Sequence, residues 1–233
     1  MGLYYNEHKV RNLYYNGKCI TRLALGKEMT RLVEGDDFVR AEWLVGDGEA
    51  YINTTHNTNE VLEYETSVSN LTFGKCLFWF RIGGYAENKS VMIAATDNTT
   101  YKGLRVANVS SEARLSQFES DNVVVSTDSN SIYINGIQYP CIKSDDASMI
   151  IRLFYSLYND ATSDSVKCAY FRLLSNNSIV QNLTPCRLLR PIPAALDANG
   201  IARNADECGM YNSVNGLFYG NVANGGAFTV SDN

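Results

Sequence analysis

Short apolar or alternating stretches, separated by Gly, Asn, Asp and Ser, run through the chain from about residue 36 onward. No segment keeps a helical period for three turns, so the pattern favours strands over helices. Strands at such close spacing, with turn residues between them, are typical of a β-sandwich or a barrel. The runs that predict strands are residues 61–68, 76–82, 90–95, 104–109, 122–126, 131–135, 149–155, 166–174 and 178–183.

Two features punctuate this pattern. Asn135-Gly136 predicts a tight hairpin turn, because both residues tolerate the positive φ that such turns demand. The stretch 188–204, with Pro191 and Pro193 beside an Ala-rich centre, is the most loop-like part of the chain. We therefore expect an irregular insertion between the last strands.

The first 35 residues carry an internal repeat. Leu3-Tyr4-Tyr5-Asn6 recurs ten residues later as Leu13-Tyr14-Tyr15-Asn16, and Leu23-Ala24-Leu25-Gly26-Lys27 is a weaker third copy. A ten-residue period with Asn and Gly at its turns predicts a three-strand β-meander, followed by a main domain over residues 36–233.

A meander this small buries little area alone, so it needs a neighbour to pack on. One interpretation is that residues 1–35 are the first strands of the sandwich. The sharper hypothesis is an anchoring or oligomerisation segment, for which the candidate residues are Tyr4, Tyr5, Tyr14 and Tyr15.

Composition narrows the class of protein. The chain has 233 residues, 45% of them hydrophobic, which is enough for a hydrophobic core that needs no disulfide or structural metal. A net charge of −5 without a Lys/Arg cluster does not favour a nucleic-acid partner. No apolar run approaches a transmembrane span, and the N-terminus shows no secretory signal, so we expect no membrane insertion and synthesis in a cytoplasm.

The six cysteines lie far apart, with no C-x-x-C pair and no His at ligand spacing, so we expect no metal site and no cofactor. An even count also fits a disulfide framework. Without an export signal, free and mostly buried thiols are favoured. The cysteines are Cys19, Cys76, Cys141, Cys168, Cys186 and Cys208.

Several segments resemble concanavalin A-like (laminin-G-type) jelly-roll domains common in gut bacteria and their tailed phages. Ala41-Glu42-Trp43-Leu44 followed by Tyr51-Ile52-Asn53-Thr54 resembles the opening of these domains. Cys168-Ala169-Tyr170-Phe171-Arg172-Leu173 is similar to their penultimate strand, and 180–186 is similar to their LVRDFIPC segment. Gly209-Met210-Tyr211-Asn212-Ser213-Val214-Asn215-Gly216-Leu217-Phe218-Tyr219-Gly220-Asn221 resembles their C-terminal signature. The resemblance covers about 38–230 and implies an all-β fold, a two-sheet antiparallel jelly-roll sandwich.

The chain departs from that family where some twenty residues, 187–207, separate the two C-terminal motifs. Its N-terminal repeat is similar to the YYNGK segments of phage tail, baseplate and fibre proteins. Together these resemblances imply a non-enzymatic structural protein of a virion, either a tail or baseplate fibre or a capsid decoration. Other virion proteins would hold the N-terminal segment, and the chain would form a homo-oligomer, for which a trimer is one candidate.

Two alternating glutamates are candidates for the carboxylates of a glycosidase. Laminarinase-type glycosidases share the sandwich and carry three acids alternating on one strand. Glu63 and Glu65 alternate, about 7 Å apart at their Cα atoms, but Val61 and Ser67 leave the third position empty. We expect surface glutamates and no catalytic residue. Asp36-Asp37 and Asp145-Asp146 favour turns over a calcium site, because neither pair has the density of oxygen ligands that calcium needs.

Sugar binding is the better functional candidate, because pyranose faces stack on exposed aromatic rings beside hydrogen-bonding side chains. Four other aromatic residues are expected to fill the core: Trp43, Phe78, Trp79 and Phe80. Loop-like contexts make Tyr85 and Tyr101 candidates, and a polar loop, 53–59, adds His56 and Asn57. The alternative functions are a bacterial carbohydrate-binding module with no viral role, and a laminarinase-type glycoside hydrolase.

Overall fold

The computed structural model describes residues 4–5, 8–9, 13–15, 18–20, 31–57, 63–71, 75–82, 89–97, 102–109, 111–115, 123–128, 131–140, 150–156, 161–162 and 164–231. The strands, in chain order, are β1 (Tyr4–Tyr5), β2 (His8–Lys9), β3 (Leu13–Tyr15), β4 (Lys18–Ile20), β5 (Phe38–Arg40), β6 (Trp43–Asp47), β7 (Ile52–Asn57), β8 (Glu63–Ser69), β9 (Cys76–Ile82), β10 (Lys89–Asp97), β11 (Lys102–Val109), β12 (Ser111–Leu115), β13 (Val123–Thr127), β14 (Ser131–Ile134), β15 (Ile137–Pro140), β16 (Ile150–Leu153), β17 (Tyr155–Ser156), β18 (Ala161–Thr162), β19 (Asp164–Ser175), β20 (Ser178–Leu188), β21 (Cys208–Asn212), β22 (Phe218–Tyr219) and β23 (Thr229–Ser231).

The larger sheet is antiparallel and follows the order β15-β14-β13-β8-β19-β20-β21-β22. The 12-residue strand β19 runs along β8 on one side, while its other side pairs first with β6 and then with β20. β5 pairs with the end of β20, and β23 pairs with β6. The two long strands β19 and β20 therefore hold the sheet together.

The smaller sheet follows the order β12-β11-β10-β9-β17-β18. Its ladders are antiparallel except for β17, which runs parallel to β9. A separate two-stranded ladder joins β7 to β16. Because β16 leads directly into β17, this ladder sits at the junction with the smaller sheet.

One hydrophobic core joins the two sheets. Alternate residues of the larger sheet, among them Val68, Phe171 and Leu183, are fully buried in one cluster with Leu77 and Ile93 of the smaller sheet. The all-β fold class, with two packed sheets, is thus confirmed. Over the described ranges the only helix is a short 3-10 turn, Ala194–Leu196, so no helix there is long and apolar enough to cross a bilayer.

All nine predicted strands are present with small shifts of their ends; 149–155, however, is divided into β16 and β17. The predicted hairpin turn is also confirmed, because Asn135 and Gly136 have φ values of 49° and 79° between β14 and β15. Trp43 is buried as expected. The side chains of Phe78, Trp79 and Phe80 lie outside the described part of the structure.

The N-terminal repeat folds differently from the predicted meander in the residues that are described. β1 pairs with β2, and β3 pairs with β4, giving two separate two-stranded ladders. The tyrosine copies, Tyr4–Tyr5 and Leu13–Tyr15, therefore pair with the segments that follow them and not with each other. Each ladder forms between two strands of the same repeat copy, so its hydrogen bonds do not require the other copy. The third copy, 23–27, lies outside the described residues.

The predicted insertion is irregular but packed. Strand β20 extends to Leu188, and the chain then returns to β21 through the 3-10 turn. Ile192 and Arg203 exchange two backbone hydrogen bonds of 3.0 Å, which close the loop at its base. Leu188, Ile192 and Phe218 belong to a second buried cluster. The insertion thus covers the edge of the sandwich instead of projecting from it.

Candidate functional site

The ladder of β7 and β16 carries the best candidate site. Its inner side is anchored in the core, because Ile52, Thr54 and Leu153 are fully buried. The Thr54 hydroxyl donates to the carbonyl of Ile151 at 2.8 Å, and the Gln181 amide donates to the carbonyl of Thr54 at 2.9 Å. The first bond joins the two strands of the ladder and the second joins the ladder to β20 of the larger sheet, so the outer side of the ladder is firmly supported.

Two tyrosines contact one arginine at the outer side of the ladder, where Tyr51 and Arg152 are partly exposed and Tyr155 is buried at the edge of the core. The Arg152 guanidinium carbon lies 5.3 Å from the centre of the Tyr51 ring and 5.2 Å from the centre of the Tyr155 ring. The two ring centres are 5.1 Å apart and tilted by 48°. Asn53 is the cross-strand neighbour of Arg152. We call Tyr51, Asn53, Arg152 and Tyr155 the Arg152 cluster.

A backbone distortion makes this cluster possible. In a regular strand Arg152 and Tyr155 would face opposite sides, because side chains alternate. Phe154 between them has a φ of 63°, and its N–H donates to the carbonyl of Leu77 at 2.5 Å. Its ring is buried, 5.1 Å from that of Phe228. The break in alternation brings Tyr155 back to the side of Arg152.

The left-handed backbone at Phe154 is unusual, since a bulky side chain rarely adopts it. Thr55, a β-branched residue on the partner strand, has a φ of 65° and is a second such outlier. Each costs of order 1–3 kcal/mol, and such strained residues cluster at ligand sites. Thr55 within β7 and Phe154 directly after β16 place two such residues at this ladder and mark it as a functional candidate.

Tyr51 is fixed by the C-terminal signature. Its N–H donates to Asn221 Oδ1 at 3.1 Å, and its carbonyl accepts from the N–H of Val222 at 3.1 Å. The Asn221 amide in turn donates to the carbonyls of Gly225 and Gly226. The opening motif and the closing motif of the domain therefore meet at the Arg152 cluster.

A carboxylate organises the loop before Tyr51. Asp47 Oδ1 accepts from the N–H groups of Glu49 and Ala50, each at 2.8 Å, and Oδ2 accepts from the N–H of Ala227. Partial burial acts to raise the pKa of Asp47, but these N–H donors outweigh it and hold the pKa below the ordinary value. The loop is thus tied to the Gly-rich segment beside the cluster.

Arg152 differs from the other arginines whose side chains are described. Each of those donates to or pairs with at least one oxygen, whereas no oxygen among the described residues accepts from the half-buried Arg152 guanidinium. The arginines that pair with oxygen are Arg31, Arg40, Arg172, Arg187, Arg190 and Arg203. Two aromatic rings hold the guanidinium of Arg152, and its N–H groups donate to no oxygen of the described residues.

The glycan candidates from the sequence are only partly placed. Tyr85 and Tyr101 lie outside the described residues. The prediction that His56 and Asn57 lie in a polar loop is wrong, because both belong to β7, where the inward Ile52 and Thr54 make the segment a strand. His56 is half-buried, and its N–H donates to Thr54 Oγ1 at 3.4 Å. It follows Asn53 of the Arg152 cluster along the same strand.

Sequence reasoning did not single out Arg152 or Tyr155. Strand alternation over 149–155 would place Arg152 outward, and that signal was available. The distortion at Phe154 carries no signal, since phenylalanine normally avoids a positive φ. The meeting of Arg152 with Tyr155 could therefore not be found from the sequence.

The acidic candidates are engaged elsewhere. Glu63 and Glu65 share the outer face of β8, as predicted, and both are half-buried. Glu65 Oε1 accepts from the Tyr170 hydroxyl at 3.0 Å and from Arg172 Nη1 at 3.1 Å. Burial and the neighbouring Glu65 raise the pKa of Tyr170 to about 12. Glu65 is thus part of a polar row across the sheet.

The other acidic pair is also structural. The buried Asp37 carboxylate accepts from the N–H of Val33 at 2.7 Å and pairs with Arg190. The pair therefore acts at a turn, as expected, and ties this turn to the insertion. Asp145 and Asp146 lie beyond the described residues.

The described thiols agree with the sequence prediction. Cys76, Cys168, Cys186 and Cys208 form no disulfide, and the first three are buried. Burial raises the pKa of Cys168 to about 12 and that of Cys186 well above its ordinary value. Such thiols are poor nucleophiles, since the thiolate is the reactive form.

Comparison of the chain with known protein families, with curated proteins and with solved structures finds no match. The resemblance to concanavalin A-like domains accordingly stands on the residues quoted above.

Proposed function

We propose that this chain is a non-enzymatic structural protein of a tailed-phage particle, whose sandwich projects outward and contacts host glycans. The observation that carries the proposal is the Arg152 cluster, in which the partly exposed Tyr51 and Arg152 lie against the buried ring of Tyr155, with the partly exposed Asn53 opposite Arg152. Aromatic rings that stack on pyranose faces, with a few convergent hydrogen-bonding groups, are what a sugar site requires.

The polar row around Glu65 supports a binding role over a hydrolytic one. A retaining glycosidase needs two carboxyl groups about 5–5.5 Å apart, one as nucleophile and one as acid. Glu65 instead accepts hydrogen bonds from Tyr170 and Arg172, and the residue at the third alternating position is Ser67. Incubation with a laminarin-type β-glucan is expected to release no sugar; release that Glu63→Gln abolishes would contradict the proposal.

The N-terminal ladders support the anchoring role. Among the described residues each ladder has two strands, and so small a ladder needs a neighbour to be stable. A partner protein can supply that neighbour by adding a strand to the edge of a ladder. The proposed partners are other virion proteins or further copies of this chain, and the tyrosines at 4, 5, 14 and 15 would contribute the apolar contact.

Mass spectrometry of purified particles tests the proposal directly. The chain should be present at a fixed ratio to the major capsid protein. Particles assembled with a variant carrying alanine at Tyr4, Tyr5, Tyr14 and Tyr15 should lose it. Tyr133→Ala, on the outer face of the sandwich, is the matched control and should be incorporated normally. Absence of the wild-type chain from the particle would overturn the virion assignment.

A carbohydrate-binding module without a viral role is the second candidate, because the Arg152 cluster favours glycan contact independently of the N-terminal segment. Glycan binding by a chain that is absent from particles would select this candidate.

A further inference from the structure

Among the described residues, no acidic side chain pairs with the Arg152 guanidinium. Two rings at 5.2 and 5.3 Å hold it by cation–π attraction. Arginine normally loses much rotamer freedom when it binds a ligand. Here that freedom is already restricted, so the donor fork is preorganised for an oxygen ligand.

The neighbouring Asn53 adds a second donor. Its Oδ1 accepts from the N–H of Thr55 at 2.9 Å, which fixes the side-chain amide. Its Nδ2 group donates to no oxygen among the residues described. Arg152 and Asn53 are directly opposite each other on β16 and β7, so their unused donors face the same side of the ladder.

A planar fork of N–H donors matches the two oxygens of a carboxylate, and the half-exposed ring of Tyr51 matches the apolar face of a pyranose. We propose that the Arg152 cluster binds a carboxylate-bearing pyranose of a host surface polysaccharide. Arg152 grips the carboxylate, Tyr51 packs on the sugar ring, and Asn53 donates to a hydroxyl oxygen. This inference rests on the glycan contact in the proposed function and names the class of sugar.

Two alternatives fit the cluster less well. A phosphate dianion is usually held by several cations, whereas here a single arginine stands next to a loop bearing the exposed carboxylates of Asp47 and Glu49. An acidic peptide would supply a carboxylate but no flat apolar face for Tyr51. A singly charged acidic sugar matches both the charge and the ring.

Titration calorimetry with the full chain tests the proposal with two matched pairs of probes. The pairs are tetragalacturonate with its methyl ester, and 3′-sialyllactose with lactose. At least one acidic probe should bind, and its neutral counterpart should bind about 10-fold to 100-fold more weakly, since a charge-assisted hydrogen bond is lost. Equal binding of the acidic and neutral members would overturn the carboxylate assignment.

Variants locate the site. Arg152→Gln should weaken the acidic probe about 10-fold or more, and Arg152→Lys should restore only part of the affinity, because lysine keeps the charge but lacks the fork. Arg187→Gln is the matched control, since Arg187 is a half-exposed arginine already paired with Asp206 at 2.9 Å. Equal weakening by Arg152→Gln and Arg187→Gln would place the site elsewhere. Circular dichroism should show that Arg152→Gln keeps the native β-sheet spectrum at the assay temperature, so that its weaker binding cannot be assigned to unfolding.

The remaining outcomes separate this inference from the proposed function. Inorganic phosphate or an acidic peptide that competes as strongly as the sugar would show a general anion site and contradict the inference. A neutral glycan that binds with Arg152→Gln unaffected would leave glycan contact standing and refute the acidic specificity. No binding of either acidic probe would refute the inference, while particle mass spectrometry would still decide the virion role.

Discussion

Arg203 Nε lies 2.8 Å from Asp197 Oδ2, and both side chains are almost fully buried within the insertion between β20 and β21. Asp197 Oδ1 accepts from the N–H of Asn199, and Arg203 Nη1 donates to the carbonyl of Asn221 at 2.7 Å. The pair therefore joins the insertion to the segment that also positions Tyr51. A surface loop has become part of the support of the candidate site.

Removal of either partner of this ion pair leaves the other charge buried without its closest counter-ion, since Glu207 Oε2 lies farther away, 3.5 Å from Arg203 Nη1. Asp197→Asn or Arg203→Met should lower the free energy of unfolding by about 3–5 kcal/mol. Arg187→Met, which breaks the exposed pair with Asp206, should cost less than about 1 kcal/mol. Urea denaturation followed by tryptophan fluorescence measures the difference. Similar losses for the buried and exposed pairs would contradict the structural role of Asp197 and Arg203.

Gly209, at the start of the C-terminal signature, leaves no room for a side chain. A Cβ there would lie 2.5 Å from the carbonyl oxygen of Tyr219 and 2.6 Å from Phe218 Cζ. Because one of these atoms is backbone, Gly209→Ala should cost about 1–3 kcal/mol or more. Gly200→Ala, which meets open space at a φ of 70°, should carry only the backbone strain of about 1–2 kcal/mol. Denaturation midpoints compare the two, and an equal or larger loss for Gly200→Ala would show that the contact is absent.

Stability should fall at alkaline pH as Tyr170 ionises. Below pH 10 the side chain is neutral in both the folded and the unfolded chain, so it adds no pH dependence. Burial and Glu65 raise its folded pKa from 10.0 to about 12, so the unfolded chain ionises first and stability is lost between these values. Tyr170→Phe should lose about 1 kcal/mol at pH 7 through the missing hydrogen bond and decline less steeply above pH 10. Parallel curves for the two proteins would argue against this assignment.

Thiol reactivity should follow burial. Cys168 and Cys186 should resist iodoacetamide in the native protein, since burial keeps both thiols protonated. Cys208, which is half-buried, should be alkylated first of the described thiols. Peptide mass spectrometry after timed alkylation measures the order. In urea all of them should react, and rapid native labelling of Cys168 would contradict the packing of the core.

The alternation of apolar residues was sufficient to predict the central strands, because burial on one or both faces of a sheet imposes it. It failed for Ile52–Asn57, where Thr54 fills an inward position with a hydroxyl that finds the carbonyl of Ile151. A polar residue at a core position interrupts the apolar alternation, so the sequence alone predicts a loop there. Only the tertiary hydrogen bond shows why the strand tolerates it.

The candidate site was less predictable than the fold. The Arg152 cluster depends on the left-handed backbone of Phe154, and the ion pair of Asp197 with Arg203 spans an irregular loop with no periodicity. Neither arrangement follows from local sequence preferences, because tertiary contacts stabilise both. Leu77 and Phe228 contact Phe154, and the carbonyl of Asn221 accepts a hydrogen bond from Arg203.

The two N-terminal ladders close within their own copies of the repeat. Tyr4–Tyr5 pairs with His8–Lys9 and not with Leu13–Tyr15. Leu13–Tyr15 in turn pairs with Lys18–Ile20. Gain or loss of one whole copy would therefore leave the hydrogen bonds of the other unchanged. Such a segment can evolve in length by unit duplication or deletion, which would change the length of the N-terminal segment without any adjustment in the sandwich that follows.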